Sequence, residues 1–320
     1  MQRTLALLRS VVQKAIPTKA LLVSDWADEY VVLSSESSAE PGKWRTDRTP
    51  YLREVMDSVC DPDVAVTVMM TSAQVGKTSA LMAVLGYFIH TDPGPMMYLM
   101  PTIDLAKSFS RVRFTGFIRD CKPLNDLFTD KQNDADNNTF SKKFPGGHLM
   151  LTGANSPVML SSNPIRVILG DEIDRYPVSA GKDGDPFELA MVRTTTFTDR
   201  KIFAVSTPGI KDASRIEELY ASSDMRQYYV PCPFCGYFQT LDFLNLDWPE
   251  GNPGVAHYTC QGCAEPIGHQ YKNKMVRQGE WRANGKWSEI DKIRGYHLSA
   301  LYSPWVHWGK IAIDSIKAIE

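Results

Sequence analysis

The chain has 320 residues, 43% of them apolar and 22% charged. That is ordinary globular composition, excludes a disordered or fibrous polypeptide, and at roughly 150 residues per domain predicts about two domains. Lys and Arg number 35 against 37 Asp and Glu, a net charge of −2, which excludes a histone-like polycation but not a local basic channel.

Residues 1–24 carry Arg3, Arg9, Lys14 and Lys19 and no acidic residue. Arg9 interrupts the apolar run Leu5–Leu8 and no small-residue cleavage site follows, so secretion is not expected. Leu5, Leu8, Val12 and Ala15 recur at helical spacing, which predicts a basic amphipathic helix, with a linker to residue 40. Three uses for it stay open: packing on its own domain, docking a partner, or serving as a transit peptide.

Val64–Met70 is a β-branched apolar run that reads as a buried strand, followed by Thr71-Ser72-Ala73-Gln74-Val75-Gly76-Lys77-Thr78 and then an apolar helical stretch, Ser79–Ile89. Strand, loop and helix in that order are the context a GxxxxGK[ST] phosphate loop requires. Gly76, Lys77 and Thr78 fit the pattern, while Thr71 stands where the first glycine belongs. Gly76 lets the backbone close on phosphate oxygens, and the helix N-terminus offers unpaired N–H groups. Lys77 is expected to bridge the β- and γ-phosphates of ATP, and Thr78 to ligate Mg²⁺. The longest apolar run, Ala80–Ile89, is ten residues, about half of what a membrane span needs, so no transmembrane segment is expected.

A second strand candidate, Met96–Met100, ends in Pro101-Thr102 before a helix carrying Lys107, Arg111 and Arg113. A third, Arg166-Val167-Ile168-Leu169-Gly170-Asp171-Glu172, ends in two adjacent acids. Neighbouring carboxylates repel and lose solvation, so the pair asks for a cation. Asp171 fits the Mg²⁺ partner and Glu172 the general base that orients the attacking water. The plain reading of the same pair is a solvated strand end. A fourth run, Lys201–Val205, ends in Ser206-Thr207-Pro208-Gly209, hydroxyls suited to sensing the γ-phosphate and passing on its loss. Four such runs alternating with helices predict a doubly wound, mostly parallel α/β sheet with its site along the strands' C-terminal edge.

Cys232/Cys235 and Cys260/Cys263 form two CxxC turns, Pro231-Cys232-Pro233-Phe234-Cys235-Gly236 and Cys260-Gln261-Gly262-Cys263. Two residues between thiolates let one tight turn aim both sulfurs at one ion, and two turns complete a tetrahedral S4 site that selects Zn²⁺. Two disulfides would need an oxidising compartment. The expected zinc is structural, holding together a ribbon over residues 229–270 that has little core of its own. Cys60 and Cys121 have no spacing partner.

Together these motifs resemble the large subunit of tailed-bacteriophage terminase, in the lambda-like branch. The resemblance rests on the Ser72–Thr78 loop, the strand ending in Asp171-Glu172, Ser206-Thr207-Pro208, the Pro231–Gly236 knuckle and Leu301-Tyr302-Ser303-Pro304-Trp305. It implies a P-loop NTPase motor over residues 41–228, the ribbon after it, and a 271–320 segment leading toward a nuclease domain. No comparable acidic cluster follows the ribbon, so DNA cutting is not expected from this chain. It further implies an ATP-driven pump of double-stranded DNA working with the terminase small subunit on a procapsid portal. A homo-oligomeric ring, no membrane, and a place in the host cytoplasm but not in the mature virion belong to the same implication. Ser72, Gln74, Val75, Gly76, Lys77 and Thr78 become the nucleotide loop, Asp171 and Glu172 the metal and base pair, and Ser206 and Thr207 the coupling motif.

Pro50-Tyr51-Leu52-Arg53-Glu54 is similar to the family's adenine-recognition segment, with Tyr51 either packing on the base or serving as a core aromatic. Some members carry an arginine inside the loop where this chain has Gln74. Arg193 is the candidate substitute as arginine finger, the other reading being a surface helix arginine. Arg111, Arg113, Lys142 and Lys143 are candidate DNA-gripping or merely solvated charges. A helicase-like or repair ATPase, and a nucleotide-gated DNA-binding scaffold without turnover, are the alternative functions.

Overall fold

The computed structural model describes residues 21–36, 38, 40–128, 138–210 and 213–319. The amphipathic helix expected over residues 5–15 lies outside them. A short antiparallel hairpin of β1 (Val32–Leu33) and β2 (Gly42–Lys43) precedes the main sheet. The main sheet takes β3 (Val66–Thr71), β4 (Pro95–Met100), β5 (Ser141–Phe144), β6 (Gly147–Gly153), β7 (Val167–Asp171), β8 (Lys201–Ser206), β9 (Arg226–Pro231) and β10 (Phe238–Gln239). A separate small sheet of β11 (Leu246–Asp247), β12 (His257–Thr259) and β13 (Pro266–Gly268) follows, after which β14 (Glu280–Ala283) and β15 (Ile293–Leu298) return to the main sheet.

The strand order is β10-β9-β15-β3-β8-β7-β4-β6-β5, with β14 also pairing β9. From β9 to β6 every pairing is parallel; β5, β10 and β14 are antiparallel additions. The protein is therefore mixed α/β with a large, mostly parallel sheet, and the four apolar runs form strands within a residue or two of their expected spans.

Side chains alternate across a strand, and this one alternation sorts the core into two layers. Met69, Met96, Tyr98, Val167, Leu169, Phe203 and Val205 pack on one face, beneath helices Val23–Tyr30, Leu52–Asp57 and Lys77–Thr91. Val68, Met70, Met97, Leu99, Ile168, Ile202 and Ala204 pack on the other, beneath helices Pro186–Val192 and Arg215–Ala221. A parallel sheet covered on both faces explains why its strands read as unbroken apolar runs.

Two sequence boundaries fall differently in the structure. Residues 23–30, expected within a linker, form a helix whose Trp26 is fully buried against helix Lys77–Thr91 and donates its indole N–H to His90 Nδ1 at 3.0 Å. Gly86 makes this approach possible, since a Cβ there would lie 2.5 Å from Trp26 Cη2. At the other end, β15 lies between β9 and β3, pairing the latter over Ile293–Leu298. Segment 271–320 is thus woven into the same sheet as the loop at residue 76, so strand pairing crosses the expected divisions at 228 and 270. β15 carries no strand signature in the sequence because Arg294, Gly295 and His297 break its apolar run. No helix among the described residues is long and apolar enough to cross a membrane.

Candidate active site

Loop 72–76 leaves the C-terminal end of β3 and turns directly into helix Lys77–Thr91. Two left-handed residues shape it, Gln74 at φ +58° and Gly76 at φ +88°. Such turns point successive N–H groups into one concavity and suit an anion, and the helix N-terminus adds to it. The loop is backed by Tyr51, whose hydroxyl donates to Val75 O at 3.2 Å, and by Ser303, whose hydroxyl donates to Gln74 O at 2.6 Å. Ser72 N–H bonds Leu298 O at 3.1 Å, tying the loop to β15.

Strand order brings the chemistry together. β8 lies between β3 and β7, so the ends of all three open on one edge. Lys77, only 7% exposed, puts its Nζ 3.0 Å from Glu172 Oε1 and donates to Thr207 Oγ1 at 2.8 Å. Glu172 has φ +53°, a strained conformation for a residue with a side chain; here it turns the carboxylate across the end of β7 toward Lys77. Asp171 is buried and accepts from Tyr98 OH at 3.1 Å. Burial raises its pKa to about 6, with the Glu172 charge adding to the rise and the Tyr98 hydrogen bond and Lys77 opposing it. Asp171 Oδ1 is buried without a hydrogen-bond partner, an acceptor that a hard cation satisfies, while Glu172 Oε2, also without a hydrogen bond, has Arg175 Nε 3.7 Å away. Lys77, Thr78, Gln74, Glu172 and Arg113 line one cavity of about 280 Å³.

Two expected site residues are elsewhere. Tyr51 is fully buried, its hydroxyl used by Val75 and its carbonyl by the indole N–H of Trp281 at 2.9 Å. It braces the loop from behind and cannot face a base. Val75, the residue it holds, is likewise fully buried. Arg193 sits past the end of helix Pro186–Val192 on the opposite face of the sheet, its carbonyl accepting Ile165 N–H at 3.0 Å and its guanidinium reaching Ser161 O at 3.4 Å. That is the entry end of β7, a strand's length from Asp171, so Arg193 is not brought to Lys77 within one chain. The gripping candidates do not share one element: Arg111 and Arg113 lie on a π-helical turn, Ser110–Phe114, and Lys142 and Lys143 on edge strand β5.

Sequence reading missed three contributors. Arg113, in sequence a DNA-gripping or merely solvated charge, lines the cavity with Lys77 and Glu172; its π turn, a feature common at functional sites, has no sequence signature. Asp174 accepts Gly209 N–H at 2.8 Å, Ser214 OH at 2.5 Å and Ile216 N–H at 2.8 Å, while its own N–H bonds Ser206 Oγ at 3.2 Å. It therefore ties the segment after β7 to the end of β8, to the loop that follows and to the start of helix Arg215–Ala221. Ser303 is the third, and only the placement of β15 brings it to the loop.

The four paired cysteines converge. Cys232 Sγ lies 4.0 Å from Cys263 Sγ, Cys235 Sγ lies 3.8 Å from Cys260 Sγ, and all four are within 4.8 Å of one another. N–H groups of Phe234 and Gly262 point at Cys232 Sγ and Cys260 Sγ, at 3.5 and 3.3 Å. Sulfurs at the corners of a tetrahedron with metal–sulfur bonds of ~2.3 Å stand ~3.8 Å apart.

Residues 38–281 match the family described as phage terminase large subunit gpA, ATPase domain. The chain belongs to this family. The terminase ATPase assignment agrees with the motifs, and ATP hydrolysis is the chemistry of the matched domain. The chain is 27% identical over 325 residues to the terminase large subunit of Enterobacteria phage P21, covering 94% of this chain and 50% of the relative. It is 26% identical over 318 residues to that of Escherichia phage lambda, covering 92% and 49%. This terminase-family chain thus spans about half the length of the curated relatives it matches. Among solved structures it is similar to the large terminase ATPase domain of Thermus phage P74-26, at TM-score 0.37 and 13% identity over 73% of this chain and 76% of that one.

Proposed function

We propose that this chain is the ATP-driven motor of a large terminase subunit and translocates double-stranded viral DNA into a procapsid. The observation that carries the reading is the contact of one ammonium, Lys77 Nζ, with both Glu172 and Thr207: phosphate binder, base and coupling segment meet at one atom. In this reading loop 72–76 is a P-loop whose N–H groups beyond Ser72, which is held by Leu298 O, cradle the triphosphate of ATP, and Lys77 leaves Glu172 to bridge the β- and γ-phosphates. Thr78 and Asp171 would hold Mg²⁺, which neutralises charge on the phosphate oxygens; the orphaned buried Asp171 Oδ1 fits that duty. Glu172 orients the attacking water and takes its proton. Arg113, facing the same cavity, supplies the positive charge that Gln74 does not. Loss of the γ-phosphate releases Thr207, and Asp174 passes the shift to helix Arg215–Ala221.

The cysteine cluster is read as structural Zn²⁺ in a ribbon, since four thiolates close its coordination. Partners follow from the packaging role: double-stranded DNA, gripped mainly through phosphates, the terminase small subunit, the portal of the procapsid, and further copies in a ring, all in the host cytoplasm. The test is phosphate release by the parent and by Lys77→Ala, with and without DNA and portal-bearing procapsids. DNA-stimulated release by the parent, abolished in Lys77→Ala, is expected; nucleotide binding without release would instead favour a nucleotide-gated scaffold.

A further inference from the structure

We infer that Trp305, on the segment that follows β15, is the platform on which the base of the bound nucleotide stacks. The inference rests on reading loop 72–76 as the triphosphate site. Beside the cavity that holds Lys77 lies a second one of about 490 Å³, within the ordinary range for a ligand pocket. Both cavities are lined by Gln74, Gly76 and Ser79, so they form one trough bent around the loop. Lys77, Thr78 and Glu172 mark its phosphate end; Trp305, Arg48 and Trp44 mark the other. A triphosphate cradled at the first end directs its nucleoside into the second.

Trp305 is 42% exposed, whereas its neighbours Tyr302 and Trp308 are buried. Its ring reaches the loop: a Cβ on Gly76 would lie 3.8 Å from Trp305 Cη2. The segment that carries it is pinned on both sides. Ser303 Oγ accepts Trp305 N–H at 3.3 Å and donates to Gln74 O. On the far side Lys272, a lysine only 1% exposed, donates to the carbonyls of Ser303 and Val306. Burying a lysine amine is costly, and here it fixes the short stretch that presents one surface indole. Arg48 lies with its guanidinium carbon 5.8 Å from the indole centroid and is held there by Glu40 at 2.7 and 3.0 Å. With the guanidinium set over one face of the indole, the part of Trp305 that stays exposed is aromatic surface of the kind on which bases stack, whatever their sequence identity. Tyr51, the aromatic the sequence offered for this duty, is behind the loop.

Calorimetric titration of the full chain with the ATP analogue AMP-PNP and with inorganic tripolyphosphate, each with Mg²⁺, separates base from phosphate binding. Trp305→Ala is expected to weaken AMP-PNP by between about five- and a hundredfold and to leave tripolyphosphate unchanged, while Trp305→Phe keeps most of the AMP-PNP affinity. Unchanged AMP-PNP binding in Trp305→Ala overturns the inference. So does a parallel loss of both ligands in the two variants, which would make Trp305 a brace for the loop. Lys77→Ala is expected to weaken both ligands; if it weakens neither, the phosphate-loop reading itself fails, whatever Trp305 does.

Discussion

Lys77 Nζ lies 3.0 Å from Glu172 Oε1, the ammonium nearly buried and the carboxylate 22% exposed. With Lys77 Nζ also donating to Thr207 Oγ1 at 2.8 Å, an incoming phosphate must take Lys77 away from Glu172. The carboxylate freed by that exchange is the one proposed to orient water.

Glu172→Gln removes the charge that competes with phosphate and also removes the base. Steady-state hydrolysis should fall about 10²–10⁴-fold, the usual contribution of a positioned base. ATP affinity, measured by titration with AMP-PNP, should stay the same or rise. Hydrolysis at the parent rate would exclude Glu172 as the base.

Asp171 gives a pH-dependent prediction. Its folded pKa, raised to about 6 by burial, exceeds the unfolded value near 3.9, so the folded chain holds the proton more tightly. The favourable contribution is complete below pH ~4 and is lost as pH rises through ~6. Asp171→Asn should therefore stabilise the nucleotide-free protein by about 2 kcal/mol at pH 7–8, with the gain shrinking toward pH 5, while hydrolysis is lost. Urea unfolding at several pH values reads the gain, and an Asn variant less stable than the parent at pH 8 would contradict it.

Gly86→Ala tests whether residues 23–30 belong to the folded core. On an exposed helix the change would stabilise by up to ~1 kcal/mol, but a Cβ here meets Trp26 Cη2 at 2.5 Å and Phe117 Cζ at 2.8 Å. Overpacking of this kind costs about 1–3 kcal/mol, so the expected net effect on the urea midpoint is a loss. A gain would mean that Trp26 does not pack there in solution.

The cysteine cluster predicts one zinc per chain by elemental analysis. A chelator, or Cys235→Ser, should lower the thermal midpoint by about 3 °C or more, as a loss of some 2 kcal/mol does in a chain of this size. Unaltered melting after chelation, with no zinc found, would remove the metal from the description.

The strands and the chemistry of their ends were legible in the sequence because a buried parallel strand is an unbroken apolar run, and polar residues stand out where it stops. Val66–Thr71 with Gly76-Lys77-Thr78 and Val167–Asp171 with Glu172 are local patterns of this kind, and the two CxxC turns, local patterns too, emerge with their four sulfurs converging. What required the fold was everything that depends on which strand lies beside which. Arg193 is the sequence's candidate finger and Arg113 only a grip or solvated charge, yet the sheet puts Arg193 at the entry end of β7 and Arg113 on the cavity that Lys77 lines. Tyr51 and Trp305 are both aromatics near the motif in space. Only the insertion of β15 beside β3 decides that Tyr51 is sealed behind the loop and Trp305 stands open in front of it. Local sequence sets periodicity and turn chemistry over a few residues, whereas the neighbours of a strand are chosen by how two apolar layers close around the whole sheet.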